Sequence, residues 1–190
     1  MKLILGSASP RRRELLTQLG LGSAALRPAD IDETPIKGES ARDYVARMAR
    51  EKAMALEMAF DEVILSADTT VTCGRRILGK PEDEKQAAEF LWLLSGRRHH
   101  VLTAVAVRSA DGMRERLVDT VVKFKPLSNE DVNGYLASGE WRGKAGGYAI
   151  QGLGGAFVPW LQGSYTGVVG LPLAETATLL AAAGIKRESA

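Results

Sequence analysis

Lys2-Leu3-Ile4-Leu5-Gly6-Ser7-Ala8-Ser9-Pro10-Arg11-Arg12-Arg13-Glu14-Leu15-Leu16 is the stretch around which the chain is organised. Lys2–Leu5 is a short apolar run that reads as a buried strand. Gly6–Ser9 is a turn of small residues. Ser9 is a natural N-cap, Pro10 stands at the first helical position, and Gly20 closes the helix. Leu15, Leu16 and Leu19 give that helix one apolar face. The three arginines are out of place. A helix N-terminus carries partial positive charge, and each cation there costs roughly 0.3–1 kcal/mol. An anion bound at the turn resolves the conflict. A helix N-terminus fed by a loop holding Ser7 and Ser9 is a ready phosphate site, and the forks of Arg11 and Arg12 add donors. A solvated arginine patch is the alternative.

The bounds are ordinary. At 190 residues the chain can bury one good core, as one domain with two lobes over 1–190. Hydrophobic residues make up 45% and charged residues 25%, as in a soluble globular protein. A net charge of +2 does not mark a nucleic-acid binder. Cys73 is the only cysteine, which excludes an internal disulfide and a cysteine zinc site. The N-terminus lacks a signal-peptide pattern and no apolar run approaches the ~18 residues of a membrane helix. A cytoplasmic protein without a membrane partner is expected.

Further along, Leu21–Leu26 can enter a second strand. Asp30, Asp32 and Glu33 then lie in a loop bounded by Pro28 and Pro35. Such carboxylates suit Mg²⁺ or Mn²⁺, which take oxygen ligands, or they simply face water. Ser40-x-x-Asp43 resembles a capping box and starts a helix to about Phe60. Its apolar stripe is Val45, Met48, Ala49, Leu56 and Ala59, with Lys52 in the middle. That lysine either snorkels to an edge or reaches toward a phosphate.

Val63-Ile64-Leu65 reads as a strand buried on both faces, leading to Asp68 at its carboxyl end. Open α/β sheets place ligands there. A buried aspartate needs a metal, a cation or a proton to move. Gly74–Lys80 fits part of a phosphate-binding P-loop, but Pro81 replaces the metal-binding Ser/Thr and no helix starts at Lys80. Lys80 stays of interest as a loop cation. Asp83 caps a helix to about Leu94. It carries Ala87, Ala88, Leu91 and Leu94 inward and stops at Gly96. His99 and His100 face opposite sides of a strand and read as structural or surface residues. Val101–Val107 and Glu115–Phe124 form a hairpin about Asp111-Gly112. Ser128-x-x-Asp131 caps a helix ending near Gly139. Gly139 to Gly170 holds ten of the chain's 20 glycines, which let backbone approach a ligand closely. Lys144, Tyr148 and Gln151 fall within it, and Gln151 can bond a base edge. The interleaved Ile150, Phe157, Val158, Trp160 and Leu161 argue for packed structure. Leu171-Pro172 starts a last helix ending at Gly184, followed by a polar tail.

Taken together, Ser7–Leu16, Ile31–Glu33, Glu51–Ala53, Ala67–Thr69, Gly79–Pro81, Lys144–Gly152, and Gly163–Tyr165 with Val169–Leu173 resemble the Maf family of nucleotide pyrophosphatases. The resemblance runs from Leu3 to Leu173. It implies an α/β fold, a two-lobed mixed sheet with helices around a central cleft, similar to inosine-triphosphate pyrophosphatases. It implies hydrolysis of a nucleoside triphosphate to the monophosphate and pyrophosphate with a divalent metal, Mg²⁺ or Mn²⁺. Asp68 matches the family's catalytic proton acceptor; Glu33, Lys52 and Lys80 match its cleft residues. Asp68 with Glu33 is the expected metal pair, either of them the base. Ser7, Ser9, Arg11, Arg12, Lys52, Thr69, Lys80, Lys144 and Gln151 are the expected substrate contacts.

Arg11, Thr69 and Gln151 match positions tied to base choice in the dTTP/UTP subfamily. The 7-methyl-GTP subfamily tends toward tryptophan, glutamine and glutamate there. Gly167 departs from the family, where asparagine is common. The alternatives are a 7-methyl-GTP or modified-purine pyrophosphatase, and a non-catalytic regulator of cell division binding nucleotide or DNA. A homodimer is compatible with the resemblance.

Overall fold

The computed structural model describes residues 1–186. The end of the polar tail, 187–190, lies outside the described residues. In chain order the elements are β1 (Lys2–Leu5), α1 (Pro10–Gln18), β2 (Ala25–Leu26), α2 (Ala41–Met54), β3 (Glu62–Cys73), β4 (Arg76–Leu78) and α3 (Glu84–Leu94). There follow β5 (Arg98–Ser109), β6 (Gly112–Lys123), α4 (Asn129–Ser138), β7 (Trp160–Gln162), α5 (Tyr165–Val169) and α6 (Leu173–Ala182). The strands form one seven-stranded mixed sheet in the order β2-β1-β3-β5-β6-β7, with β4 paired to β3 off that path. β1 runs parallel to both β2 and β3; β4 is antiparallel to β3, and β7 to β6. This is an α/β fold, as expected.

The chain divides into two compact units. One comprises Met1–Asp68, Thr103–Val118 and residues 170–186; the other comprises Thr69–Leu102 and Asp119–Val169. In the first, Ile4, Leu5, Leu16, Met48, Ile64 and Leu65 are fully buried; in the second, Leu78, Leu91, Leu94, Phe124 and Trp141 are. Each such side chain contributes roughly 1.5–3 kcal/mol by leaving water.

Local chemistry explains most boundaries. α1 ends in a paired glycine cap: Gly20, at φ 71°, donates to Thr17 O and Leu21 donates to Leu16 O. That cap uses Leu21, so β2 is shorter than the expected Leu21–Leu26. Ser9 stands at the N-cap of α1, but its side chain makes no cap hydrogen bond. Ser40 and Asp83 do cap α2 and α3, accepting from Asp43 N and Gln86 N. Ser128 and Asp131 form a complete capping box on α4.

Two extents differ from expectation. α2 stops at Met54 rather than near Phe60, and Ala59 is exposed. Nothing in Ala55–Ala59 breaks a helix locally. The end is set by Arg108, whose Nη1 donates to the carbonyls of Ala53, Met54 and Leu56. β3 is the other case. It runs on through Asp68, so this residue lies mid-strand and not at a carboxyl end. β1 pairs only as far as Leu5 with Leu65, and β4 pairs only Val71–Cys73. Asp68 thus falls three residues past its last β1 partner.

The glycine-rich stretch is packed. It contains 3₁₀ turns at Ala145–Gly147 and Leu153–Phe157, then β7 and α5, and it buries Tyr148, Ile150 and Phe157.

Candidate active site

The turn after β1 is built by backbone first. Gly6 N donates to Leu65 O at 2.8 Å, extending the parallel ladder by one residue. The buried Ser7 hydroxyl then accepts from Ser9 N at 3.2 Å and from Arg12 Nη1 at 3.0 Å. Arg12 Nε donates to Gly170 O at 2.9 Å. Arg12 is therefore a strut of the turn as well as a cation. Burial pulls its pKa down, and the carboxylates of Asp68 and Glu33 pull it back up. Arg11 is half-buried, and burial lowers its pKa against the pull of Glu14.

Lys52 decides what this unit can do. It sits on the inward stripe of α2 and is 8% exposed. It does not snorkel. Its Nζ meets Asp68 Oδ1 at 2.7 Å and Glu33 Oε1 at 2.9 Å. The cation that buried Asp68 requires is thus an internal one. Arg12, Lys52, Asp68 and Glu33 give a charge-balanced cluster in the first unit.

Glu33 arrives from irregular chain between β2 and α2. The Tyr44 hydroxyl donates to Glu33 O at 3.0 Å, and Arg47 Nη2 donates to Thr34 O at 3.2 Å. Arg47 also grips both oxygens of Glu39, at 2.7 and 2.8 Å, which keeps the Glu39 carboxyl below its usual range. Of the neighbouring acids, Asp30 is exposed, and Asp32 Oδ1 accepts from Thr34 N at 2.9 Å to close a turn. Both stand as the water-facing reading had them.

Among the described residues no group of three or more His, Cys, Asp or Glu is placed to hold a metal. A metal here would rest on Asp68 and Glu33 alone. Two hard carboxylates brought to one point fit Mg²⁺ or Mn²⁺, which are commonly held by one or two carboxylates plus substrate phosphates.

The remaining expected contacts lie in the second unit. Thr69 is half-buried on β3, and Lys80 is exposed just after β4. Gly146, at φ 71°, donates to Gly79 O at 3.0 Å, which brings the Lys144 segment against the Lys80 turn. A side chain at Gly146 would also press on Val71 at 2.9 Å. Lys144 Nζ donates to Arg142 O at 3.1 Å. Gln151 is exposed. The turn that carries it is fixed by Tyr135, whose hydroxyl accepts from Ala149 N at 2.9 Å. Glu140 fixes it too, accepting from Leu153 N. His99 is buried and bonds the Tyr148 hydroxyl at 2.8 Å, whereas His100 is exposed beside Asp119. They are structural and surface residues on opposite faces, as read from the sequence.

Sequence reasoning missed Tyr44, Arg47 and Arg108. Tyr44, Met48 and Lys52 follow one another at four-residue spacing along one side of α2, which was the available signal.

A family model described as Maf-like protein matches residues 2–183. The chain belongs to the Maf family. Among its relatives, the dTTP/UTP pyrophosphatase of Cereibacter sphaeroides is 64% identical, over 97% of this chain and 96% of the relative. That of Roseobacter denitrificans is 60% identical over 98% and 99%. That of Sphingopyxis alaskensis is 58% identical over 96% and 97%. A solved nucleoside-triphosphatase / dITP/XTP pyrophosphatase from Mycobacterium abscessus aligns with 67% of this Maf chain and 76% of its own. The two are 19% identical, with a TM-score of 0.38. Among the described residues no helix is long and apolar enough to cross a membrane.

Proposed function

We propose that this chain hydrolyses dTTP and UTP to the monophosphate and pyrophosphate. The observation that supports this most is the Lys52 ammonium held between Asp68 and Glu33, within the field of Arg12. Cations that can meet phosphate oxygens and carboxylates that can take a proton are what such a reaction needs in one place. The relatives named dTTP/UTP pyrophosphatase, at 58–64% identity, supply the substrate class.

In this reading a water oxygen attacks the α-phosphorus, and the bond from that phosphorus to the bridging oxygen breaks. Asp68 or Glu33 accepts the proton of the water. Arg11, Arg12, Lys52, Lys80 and Lys144 balance the charge of the phosphates, with Ser7 and Ser9 lining the turn after β1. Asp68 and Glu33 would also hold Mg²⁺ or Mn²⁺, which when bound polarises a phosphoryl oxygen and acidifies water. Thr69 and Gln151 are the proposed readers of the pyrimidine, together with Arg11.

The test is pyrophosphate release from dTTP, UTP, 5-methyl-CTP, 7-methyl-GTP, GTP, ATP and ITP, with Mg²⁺ or Mn²⁺ and with chelator. Asp68→Asn serves as control. Turnover of dTTP and UTP that the control loses is the expected result. Turnover of 7-methyl-GTP alone would keep the chemistry and overturn the substrate. No turnover of any nucleotide would overturn the reaction.

A further inference from the structure

We propose that Tyr44 is a positioning residue that holds Glu33 against Lys52, an inference that rests on the reaction above. Residues 27–40 contain no helix or strand, so nothing regular fixes Glu33 within its own segment. One side of α2 does so instead. Tyr44 takes the Glu33 carbonyl at 3.0 Å, Arg47 takes the Thr34 carbonyl at 3.2 Å, and Lys52 takes the Glu33 carboxylate at 2.9 Å. The backbone and the side chain of Glu33 are thus gripped from the same rigid rod. At 1.5 Å of rise per residue, Tyr44 and Lys52 stand about 12 Å apart along it.

Tyr44 acts through the main chain and not on reacting atoms. Its hydroxyl is spent on a carbonyl, and its ring supports Arg47, whose guanidinium carbon lies 5.7 Å from the ring centroid. Arg47 completes the grip. Its bonds to Glu39 close the far end of the same segment.

Phenylalanine at 44 keeps the ring and removes only this donor. The experiment compares the parent, Tyr44→Phe, Glu33→Gln and the double variant. It measures kcat and KM for dTTP across pH and amide hydrogen exchange of residues 31–39 without nucleotide. One lost hydrogen bond predicts a fall in kcat of about five- to tenfold in Tyr44→Phe, with KM nearly unchanged. The pH profile keeps its shape, and exchange at 31–39 accelerates. The double variant is no slower than Glu33→Gln, because a positioning residue has nothing left to position. Unchanged exchange at 31–39 overturns the proposal whether or not the chain turns over dTTP. So does a kcat loss that multiplies with that of Glu33→Gln, or a changed alkaline limb, which would make Tyr44 an acid in its own right. A parent without turnover overturns the proposed reaction, while exchange still decides the anchoring.

Discussion

Lys52 and Asp68 are 16 residues apart in sequence and 2.7 Å apart in space, a buried ammonium on a buried carboxylate. A charge pair of this kind is weak evidence for stability, but removing one member is costly because the other stays behind. Here Lys52→Met would remove the ammonium that bridges Asp68 and Glu33 and leave Arg12 as the one cation of the cluster to face both carboxylates. The expected loss is about 2–3 kcal/mol. This falls below the range for a fully buried pair because the Glu33 side chain is 46% exposed. Turnover is expected to fall about a hundredfold or more, as when a charge-stabilising donor is deleted. Thermal melts and pyrophosphate release read the two effects separately. A variant that melts with the parent would show that the cluster adds nothing to the fold.

The turn after β1 makes a second prediction. A methyl group at Gly6 would collide with the Ser66 hydroxyl and crowd Leu56 Cδ1 at 3.0 Å. Gly6→Ala should therefore cost about 1–3 kcal/mol, the usual penalty for overpacking. Ser66 Oγ is buried without a hydrogen-bond partner, so Ser66→Ala loses little and makes room. The Gly6→Ala/Ser66→Ala double variant should recover most of the lost melting temperature. Failure to recover would place the strain elsewhere in the turn.

His99 gives the protein a pH dependence with a definite sign. Burial, with a smaller push from His100, lowers its pKa from the ordinary 6.5 to about 4. Its ring packs edge-on against Phe124 and Tyr148, its Nε2 meets the Tyr148 hydroxyl, and its buried Nδ1 has no hydrogen-bond partner among the described residues. Below pH 6.5 the unfolded chain binds a proton at this residue and the folded chain does not. Stability is thus full above 6.5, declines as pH falls, and stops declining from this cause near 4. The window is worth roughly 3 kcal/mol. Urea midpoints at pH 4, 5, 6 and 7 should show the slope in the parent and a flatter line in His99→Gln. Parallel lines would assign the acid sensitivity to other groups.

Base choice provides the fourth. If Gln151 reads a pyrimidine edge, Gln151→Glu exchanges a donor for an acceptor on an exposed, well-supported turn. The ratio of kcat/KM for dTTP and UTP over that for purine triphosphates should drop about tenfold or more, since a mismatched polar contact is expensive. An unchanged ratio would remove Gln151 from recognition. Because Gln151 itself is exposed, the melting temperature should not move.

What the sequence made legible was local chemistry. Ser40, Asp83 and Ser128 announce their helices because a cap needs only a hydroxyl or carboxylate and the three residues after it. Val63-Ile64-Leu65 announces a central strand because burial on both faces removes polar residues. Arg11 and Arg12 were legible as a conflict with the helix dipole, although not that Arg12 would reach back to Ser7 and across to Gly170. The extents of α2 and β3 were not legible, because Arg108 and the partners of β3 come from distant parts of the chain. On spacing alone Glu33 read more readily as part of a solvated acidic loop, because the groups that hold it lie 11 to 19 residues further on. Lys52 was ambiguous for the same reason. Its partners are set by where β3 runs, and spacing along α2 says nothing of that.

The Arg108 clasp on the end of α2 has a consequence for how the helix opens. A helix ordinarily frays from its last turn, where carbonyls lack partners. One guanidinium occupies those of Ala53 and Met54 and ties in Leu56. Lys52 lies within that turn, so α2 lacks the usual low-energy route to release it. Its last-turn amides are therefore expected to exchange only when the first unit opens globally, and the ammonium to keep its address until then.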